Sequence, residues 1–160
     1  MNGTDALDIV DRLVAAEIPF AVIGGHAVNA HGFLRSTEDV DILFERTAQS
    51  EQRLYQLLNE IEAYYIGTEI DPQTGIERIH PVTVEYIQTN HMLMLGSRLG
   101  YLDLFDFVPG IAEALVGDVL KSVITINNRP FVDLYWLRRM KMAADRPQDR
   151  IDLQNLPYRR

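Results

Sequence analysis

The chain contains no cysteine, so it can build neither a disulfide framework nor a thiolate metal centre. Basic residues are in short supply: 15 Lys and Arg face 23 Asp and Glu, for a net charge of −8. A balance of that sign offers no broad electrostatic footprint for nucleic acid. No apolar run approaches the roughly 20 residues that cross a bilayer. The N-terminal MNGTDALDIV lacks the basic segment and apolar core of a secretory signal, so a cytoplasmic protein is expected. Repeats, low-complexity tracts and linkers are also missing. The 160 residues therefore read as one domain, 1–160, long enough to bury a core.

What is present concentrates in AVIGGHAVNAHGFLRSTEDVDILF. The apolar run Phe20 to Ile23 predicts a buried strand, and it stops at Gly24-Gly25. Glycine lets the backbone turn sharply and lets an anion approach main-chain N–H groups. The Ala-rich segment His26 to His31 predicts a short helix ending at Gly32, and a helix start just after such a turn can seat a phosphate. Val40, flanked by Asp39 and Asp41, then runs into Ile42-Leu43-Phe44. Residues i and i+2 of a strand face the same way, which sets two carboxylates on one face roughly 7 Å apart. Oxygen ligands so placed suit Mg²⁺, which takes one or two carboxylates and completes its shell with phosphates. Burying two aspartates costs several kcal/mol unless a cation compensates. Phosphate seat beside metal seat points to nucleotide chemistry.

Elsewhere, Thr4 is a cap for a first helix whose inward stripe is Leu7, Val10, Leu13 and Val14, and Pro19 ends it. A helix is predicted over Thr47 to Glu62, with Leu54, Leu57, Leu58 and Ile61 inward. Pro72, Gly75 and Pro81 make Gly67 to Pro81 read as an irregular, flap-like loop. His91 to Leu95 and Tyr101 to Phe107 form a predicted hairpin around Gly96 to Gly100. A helix is expected near Ile111 to Leu115. A second hairpin, Val123 to Ile126 with Pro130 to Val132, turns at Asn127-Asn128, and helices follow over Asp133 to Ala144 and Pro147 to Leu156. This order predicts an α+β domain with a mixed sheet flanked by helices.

Alternation along Tyr101 to Phe107 puts Asp103 on one face and Asp106 on the other. Asp103, beside Asp39 and Asp41, would complete a three-carboxylate cluster able to hold two metals about 3.5–4 Å apart. Asp106 is the rival, but it lies nearer the strand's end, next to Pro109-Gly110.

The combination of apolar strand, Gly-Gly, Asp-x-Asp and a later strand aspartate resembles the nucleotidyltransferase superfamily that includes DNA polymerase beta. More closely, IGGHAVNAHG followed by Arg35-x-Thr37-x-Asp39-x-Asp41 resembles the small bacterial nucleotidyltransferases akin to AbiEii-type toxins. DLYWLRRMKMAADRPQDRIDL resembles that family's later segment, here with Lys141, Arg146, Asp149 and Asp152. The resemblance covers about Phe20 to Leu156 and is weakest between Tyr65 and Thr89. It implies a polymerase beta-like fold and transfer of a nucleoside monophosphate from an NTP to a hydroxyl, dependent on Mg²⁺ or Mn²⁺. Asp39, Asp41 and Asp103 would hold metal and carry catalysis, with Gly24, Gly25 and Lys141 toward the triphosphate. It further implies an RNA or protein acceptor and an antitoxin partner within a toxin–antitoxin or defence system. The wider superfamily has serine where this chain has Gly25, and 160 residues leave little room for an appended acceptor domain.

Several assignments stay open from residues alone. Arg35 is a phosphate contact or a surface arginine; Thr37 caps the turn or touches the triphosphate. Arg138, Arg139, Lys141, Arg146 and Arg150 form a basic pocket or a solvated helix face. Asp149 pairs with Arg146 or supports the site with Asp152. His26 and His31 read as helix-end or packing residues, and Tyr135 and Trp136 as core. A nucleotide-binding interaction module and a metal-dependent phosphohydrolase are the competing functions.

Overall fold

The computed structural model describes residues 4–158, with the side chains of 4 and 5 outside that description, so the cap expected of Thr4 lies beyond it. The elements in chain order are α1 (Thr4–Ala15), β1 (Phe20–Ile23), α2 (Gly24–Ala30), β2 (Val40–Phe44) and α3 (Ala48–Glu60). Then come β3 (Tyr64–Ile70), β4 (Glu77–Pro81), α4 (Val84–Thr89), β5 (Met92–Leu95), β6 (Leu102–Phe105) and α5 (Val116–Leu120). The chain closes with β7 (Ile124–Ile126), β8 (Arg129–Phe131), α6 (Leu134–Ala144) and α7 (Pro147–Asn155).

Six strands form a mixed sheet in the order β5-β6-β2-β1-β8-β7. The β1–β2, β5–β6 and β7–β8 pairs are antiparallel, while β2–β6 and β1–β8 are parallel. The α+β architecture with a mixed sheet and flanking helices is the one expected. All four β1 side chains are buried, as the unbroken apolar run requires of a central strand. Leu54, Leu57, Leu58 and Ile61 are buried beneath α3, whose Thr47 and Ser50 close a reciprocal capping box. Val10 and Leu13 of α1 enter the core with Ile9, which the expected stripe omitted. Asn127 and Asn128 both take positive φ, 51° and 64°, the backbone that a tight two-residue hairpin turn demands.

Four expectations need correction. Gly67 to Pro81 is not an irregular loop: β3 and β4 pair there as a separate antiparallel hairpin with a bulge between Ile66 and Ile70. Pro72 and Gly75 occupy only its tip. Ile66, Ile70 and Ile79 are exposed, so no alternation of burial marks the strands. The helix expected at Ile111 to Leu115 begins instead at Val116, because isolated turns closed by Ile111 and Ala114 intervene after Pro109-Gly110. Helix α2 starts on the glycine pair itself rather than after it. Tyr135 is exposed, lying on the outer face of α6 with Arg139, whereas Trp136 does pack against the core. Helix α4, capped by Thr83, is additional to the predicted elements.

Candidate active site

Register across the sheet assembles the centre. Ile23 pairs with Asp41, Asp41 with Asp103, and Asp103 with Met94, so these four cross β1, β2, β6 and β5 as a single row. Directly paired residues share a sheet face. Their neighbours Val40, Ile42, Leu102 and Leu104 point the other way and are fully buried. That alternation locks the register, because a one-residue slip would drive both aspartates into the core. Asp39 lies just before β2, exposed, and close enough for its charge to act on both other carboxyls.

The carboxyls of Asp41 and Asp103 lie within hydrogen-bonding reach of each other. Burial, then the charges of Asp103 and Asp39, push Asp41 up to about 7, and only Lys141 works against the rise. Asp103 is raised as well, by burial and by Asp39, while the bond from Asp41 draws it down. Two partly buried carboxyls thus face each other, and each makes ionisation of the other less favourable. Among the described residues no three acidic or imidazole groups enclose an ion by themselves. The donor set is an oxygen pair with a third carboxylate alongside, facing an open cleft. Such a set fits a divalent ion that takes its remaining oxygens from a phosphate substrate and water, not a closed protein cage.

The two glycines are required by what lies next to them. Gly24 has φ +69°, and a Cβ there would land on the Asp41 carboxylate. At Gly25 a Cβ would strike the Thr37 hydroxyl and come within 3.2 Å of Arg35 Nη1. The departure from serine at Gly25 therefore has a local cause: Thr37 fills the space a side chain would need.

Helices α6 and α7 add a buried ionic cluster. The turn between them places Asp145 at φ 49° and Pro147 at the start of α7, which folds α7 back along α6. Lys141 Nζ lies 3.1 Å from Asp149 Oδ1 and 2.9 Å from Asp152 Oδ2, with all three side chains buried. Arg35 donates Nε and Nη2 to the two oxygens of Asp152 at 2.8 and 3.0 Å, and Gln148 donates to Oδ1 at 2.9 Å. Arg146 donates its backbone N–H and its Nε to Asp149 Oδ2 at 3.0 and 2.7 Å. Burial alone would raise both carboxyls, but the bonds from Arg146 and Lys141 to Asp149, and from Arg35, Lys141 and Gln148 to Asp152, hold both below their ordinary range. Three cations against two carboxylates leave the cluster one positive charge in excess.

The structure brings Gly24, Gly25, Arg35, Thr37, Asp39, Asp41 and Lys141 around a cleft arm of about 710 Å³. A second arm, about 460 Å³, runs from Asp41 and Asp103 between Met92, Phe105, Leu137 and Met140. Arg35 and Lys141 reach the cleft through their carboxylate partners rather than as free cations. The wider basic group does not form one patch: Arg150 pairs with Asp145, Arg139 with Glu113, and Arg138 lies over the Tyr158 ring. Asp106 belongs elsewhere, accepting from Arg46 Nε at 2.6 Å while Arg46 also donates to the Ile87 and Asn90 carbonyls. His31 ends α2 with Nε2 2.8 Å from the Val132 carbonyl. His26 follows the glycines; burial and then Arg35 keep it below its ordinary value, and its buried Nε2 has no hydrogen-bond partner among the described residues. Missing from the sequence reading is the tyrosine-rich wall that Tyr64, Tyr65 and Tyr86 raise beside Asp39. Its one available signal was the adjacent pair Tyr64-Tyr65.

No family model and no curated protein matches the chain. Solved structures do. JHP933 from Helicobacter pylori superimposes with a TM-score of 0.50 at 16% identity, over 94% of this chain and 62% of that one. A protein from H. pylori that carries the provisional name nucleotidyltransferase gives 0.44 at 16% identity, over 87% of this chain and 55% of that one. This chain thus spans less than two thirds of the length of either. The likeness to JHP933 is one of fold.

Proposed function

We propose that the protein is a metal-dependent nucleotidyltransferase, moving a nucleoside monophosphate from an NTP to an acceptor hydroxyl. The observation that carries this reading is the directly paired Asp41 and Asp103, set where a glycine turn and a cluster with excess positive charge meet in one cleft. The resemblance of the glycine and Asp-x-Asp motifs to AbiEii-type and related enzymes points the same way. It also supplies the proposed RNA or protein acceptor and a toxin–antitoxin or defence setting.

In this reading the triphosphate lies along the arm between Gly24-Gly25 and Arg146, where backbone N–H groups and the cluster's surplus charge offset its own. A bound Mg²⁺ or Mn²⁺, held by Asp41 and Asp103 with Asp39 alongside, supplies charge neutralisation and a more acidic acceptor hydroxyl. The acceptor oxygen forms a bond to the α-phosphorus as the bond from that phosphorus to the β-bridging oxygen breaks. Pyrophosphate departs with the electron pair, and the hydroxyl proton passes by way of Asp103 to water. Lys141 positions α7 and tempers the charge on Asp41.

Incubation with each NTP labelled in the α-phosphate, plus Mg²⁺, tests the proposal. Label joined to an acceptor, and lost in Asp41→Ala, is the expected result. Label released as free nucleotide would instead make the protein a phosphohydrolase, and binding without turnover an interaction module.

A further inference from the structure

The cleft continues past Asp39 and Asp103 into a third arm of about 500 Å³, and its wall carries the phenols of Tyr64, Tyr65, Tyr86 and Tyr101. A nucleotidyl group needs a hydroxyl to receive it, and these hydroxyls belong to the chain itself. Three of the tyrosines are engaged. Tyr65 is stacked on Tyr86, with ring centroids 3.8 Å apart, and on His80 at 5.3 Å. Burial, then Tyr65, raises the Tyr86 phenol above its ordinary value, so it releases its proton less readily. The Tyr64 ring and hydroxyl lie against Gly96, where even a Cβ would collide with them.

Tyr101 is different. Its side chain is exposed and makes no hydrogen bond or ring contact among the described residues. Its backbone is fixed to the centre. Val40 donates its N–H to the Tyr101 carbonyl at 3.1 Å, just ahead of the Val40–Leu102 and Asp41–Asp103 pairs. Tyr101 therefore lies two residues before Asp103 on the same sheet face, beside the Asp39–Val40 peptide. Two residues of strand span roughly 7 Å, about the length of an extended tyrosine side chain. Rotation about its own side-chain bonds thus carries the phenol to Asp103 with the backbone in place. A neutral phenol also meets no repulsion from Asp39, Asp103 and Glu77, which line the arm without a lysine or arginine among the described residues.

We infer that the protein nucleotidylylates itself, in cis, on the hydroxyl of Tyr101. This rests on the nucleotidyl-transfer reading and adds to it a modification site within the same chain. Tyr101 Oη bonds to the α-phosphorus as the bond from that phosphorus to the β-bridging oxygen breaks. Pyrophosphate takes the electron pair, and the phenolic proton passes by way of Asp103 to water. The product is a phosphodiester that leaves a nucleotide standing in the third arm. Any other acceptor entering by that arm is then blocked, and the reaction stops after one transfer per chain.

The full chain is incubated with each α-labelled NTP and Mg²⁺, alone and with total RNA and cell protein added. The expected result is label on the chain itself, placed on Tyr101 by peptide mass spectrometry. It should survive neutral hydroxylamine, which would strip an anhydride formed on an aspartate. The first-order rate constant should not change with protein concentration. Tyr101→Phe removes only an exposed hydroxyl, so it should keep the parent's melting temperature and lose the label. Label retained by Tyr101→Phe, label on another residue, or a rate constant that climbs with protein concentration overturns the inference. An unlabelled chain beside labelled RNA or added protein overturns it too, and leaves nucleotidyl transfer standing. Label joined to nothing, from any NTP, removes both.

Discussion

Asp41 and Asp103 stand opposite each other on adjacent parallel strands, 62 positions apart in sequence (103 − 41), with their carboxyls within hydrogen-bonding reach of each other. Their strands are central to the sheet, so the fold itself forces two like charges into contact.

The first consequence is an inverted pH dependence. Asp41 rises from an ordinary 3.8 to about 7, so between those values the folded chain binds more protons than the unfolded one. Stability contributed by the protonated group is complete at low pH and is lost as pH climbs toward 7. At about 1.4 kcal/mol per unit the loss is at most about 4 kcal/mol. Thermal melts of the metal-free protein should therefore fall between about pH 4 and pH 7. Mn²⁺ at neutral pH should recover the melting temperature, and Asp41→Asn should raise it while removing the response to Mn²⁺. A melting temperature that climbs steadily from pH 4 to 7 in the metal-free protein would contradict this.

Gly24 should be far less tolerant than Gly32. Both have positive φ, +69° and +108°, so alanine strains each backbone by roughly 1 kcal/mol. Only at Gly24 does the new methyl meet the Asp41 carboxylate; Gly32 faces open space. Gly24→Ala should lower kcat by about a hundredfold, as expected for a reacting group displaced by about 1 Å. Gly32→Ala should cost stability alone, which melting and turnover measured together will separate.

Asp152 is expected to be the most sensitive position outside the cleft. Its fully buried carboxylate neutralises Lys141 and Arg35 together. Asp152→Ala leaves those cations with one fewer counter-charge in a buried setting, at a cost of about 3 kcal/mol in chemical denaturation. The conservative Asp152→Asn keeps the shape but not the charge, and should fall between alanine and the parent.

Asp103 and Asp106 should separate by phenotype although three residues divide them. Asp103→Ala should reduce transfer at least about a hundredfold with a stable fold. Asp106→Ala strips Arg46 of its hydrogen-bonded carboxylate, leaving it only Glu51 at 3.8 Å, and should cost about 2 kcal/mol in stability. Its kcat at a temperature well below the melt should match the parent. Equal kcat losses in the two variants would place both in the same role.

The sequence was most readable where chemistry and periodicity coincide. Phe20 to Ile23 has only one way to be so apolar and so short, and Asp103 sits between leucines whose burial fixes its face. The break between α6 and α7 falls where the predicted helices end at Ala144 and resume at Pro147. By contrast, β3 and β4 form a hairpin whose outer residues stay exposed, so period-two burial never appears in the sequence. Arg35 could be judged only once Asp152, 117 positions away, was seen beside it. Long-range ion pairing leaves no local pattern. Tyr135 was misjudged because an aromatic ring can lie on an arginine at the surface as well as in a core.

The β3–β4 hairpin forms its own sheet, and Tyr64 and Gly96 tie it to the loop after β5 through hydrogen bonds of 2.9 and 3.0 Å. The carboxylate pair lies on the other sheet. The hairpin therefore meets the six-stranded sheet along one short seam, so its residues can change without disturbing the register that sets Asp41 opposite Asp103.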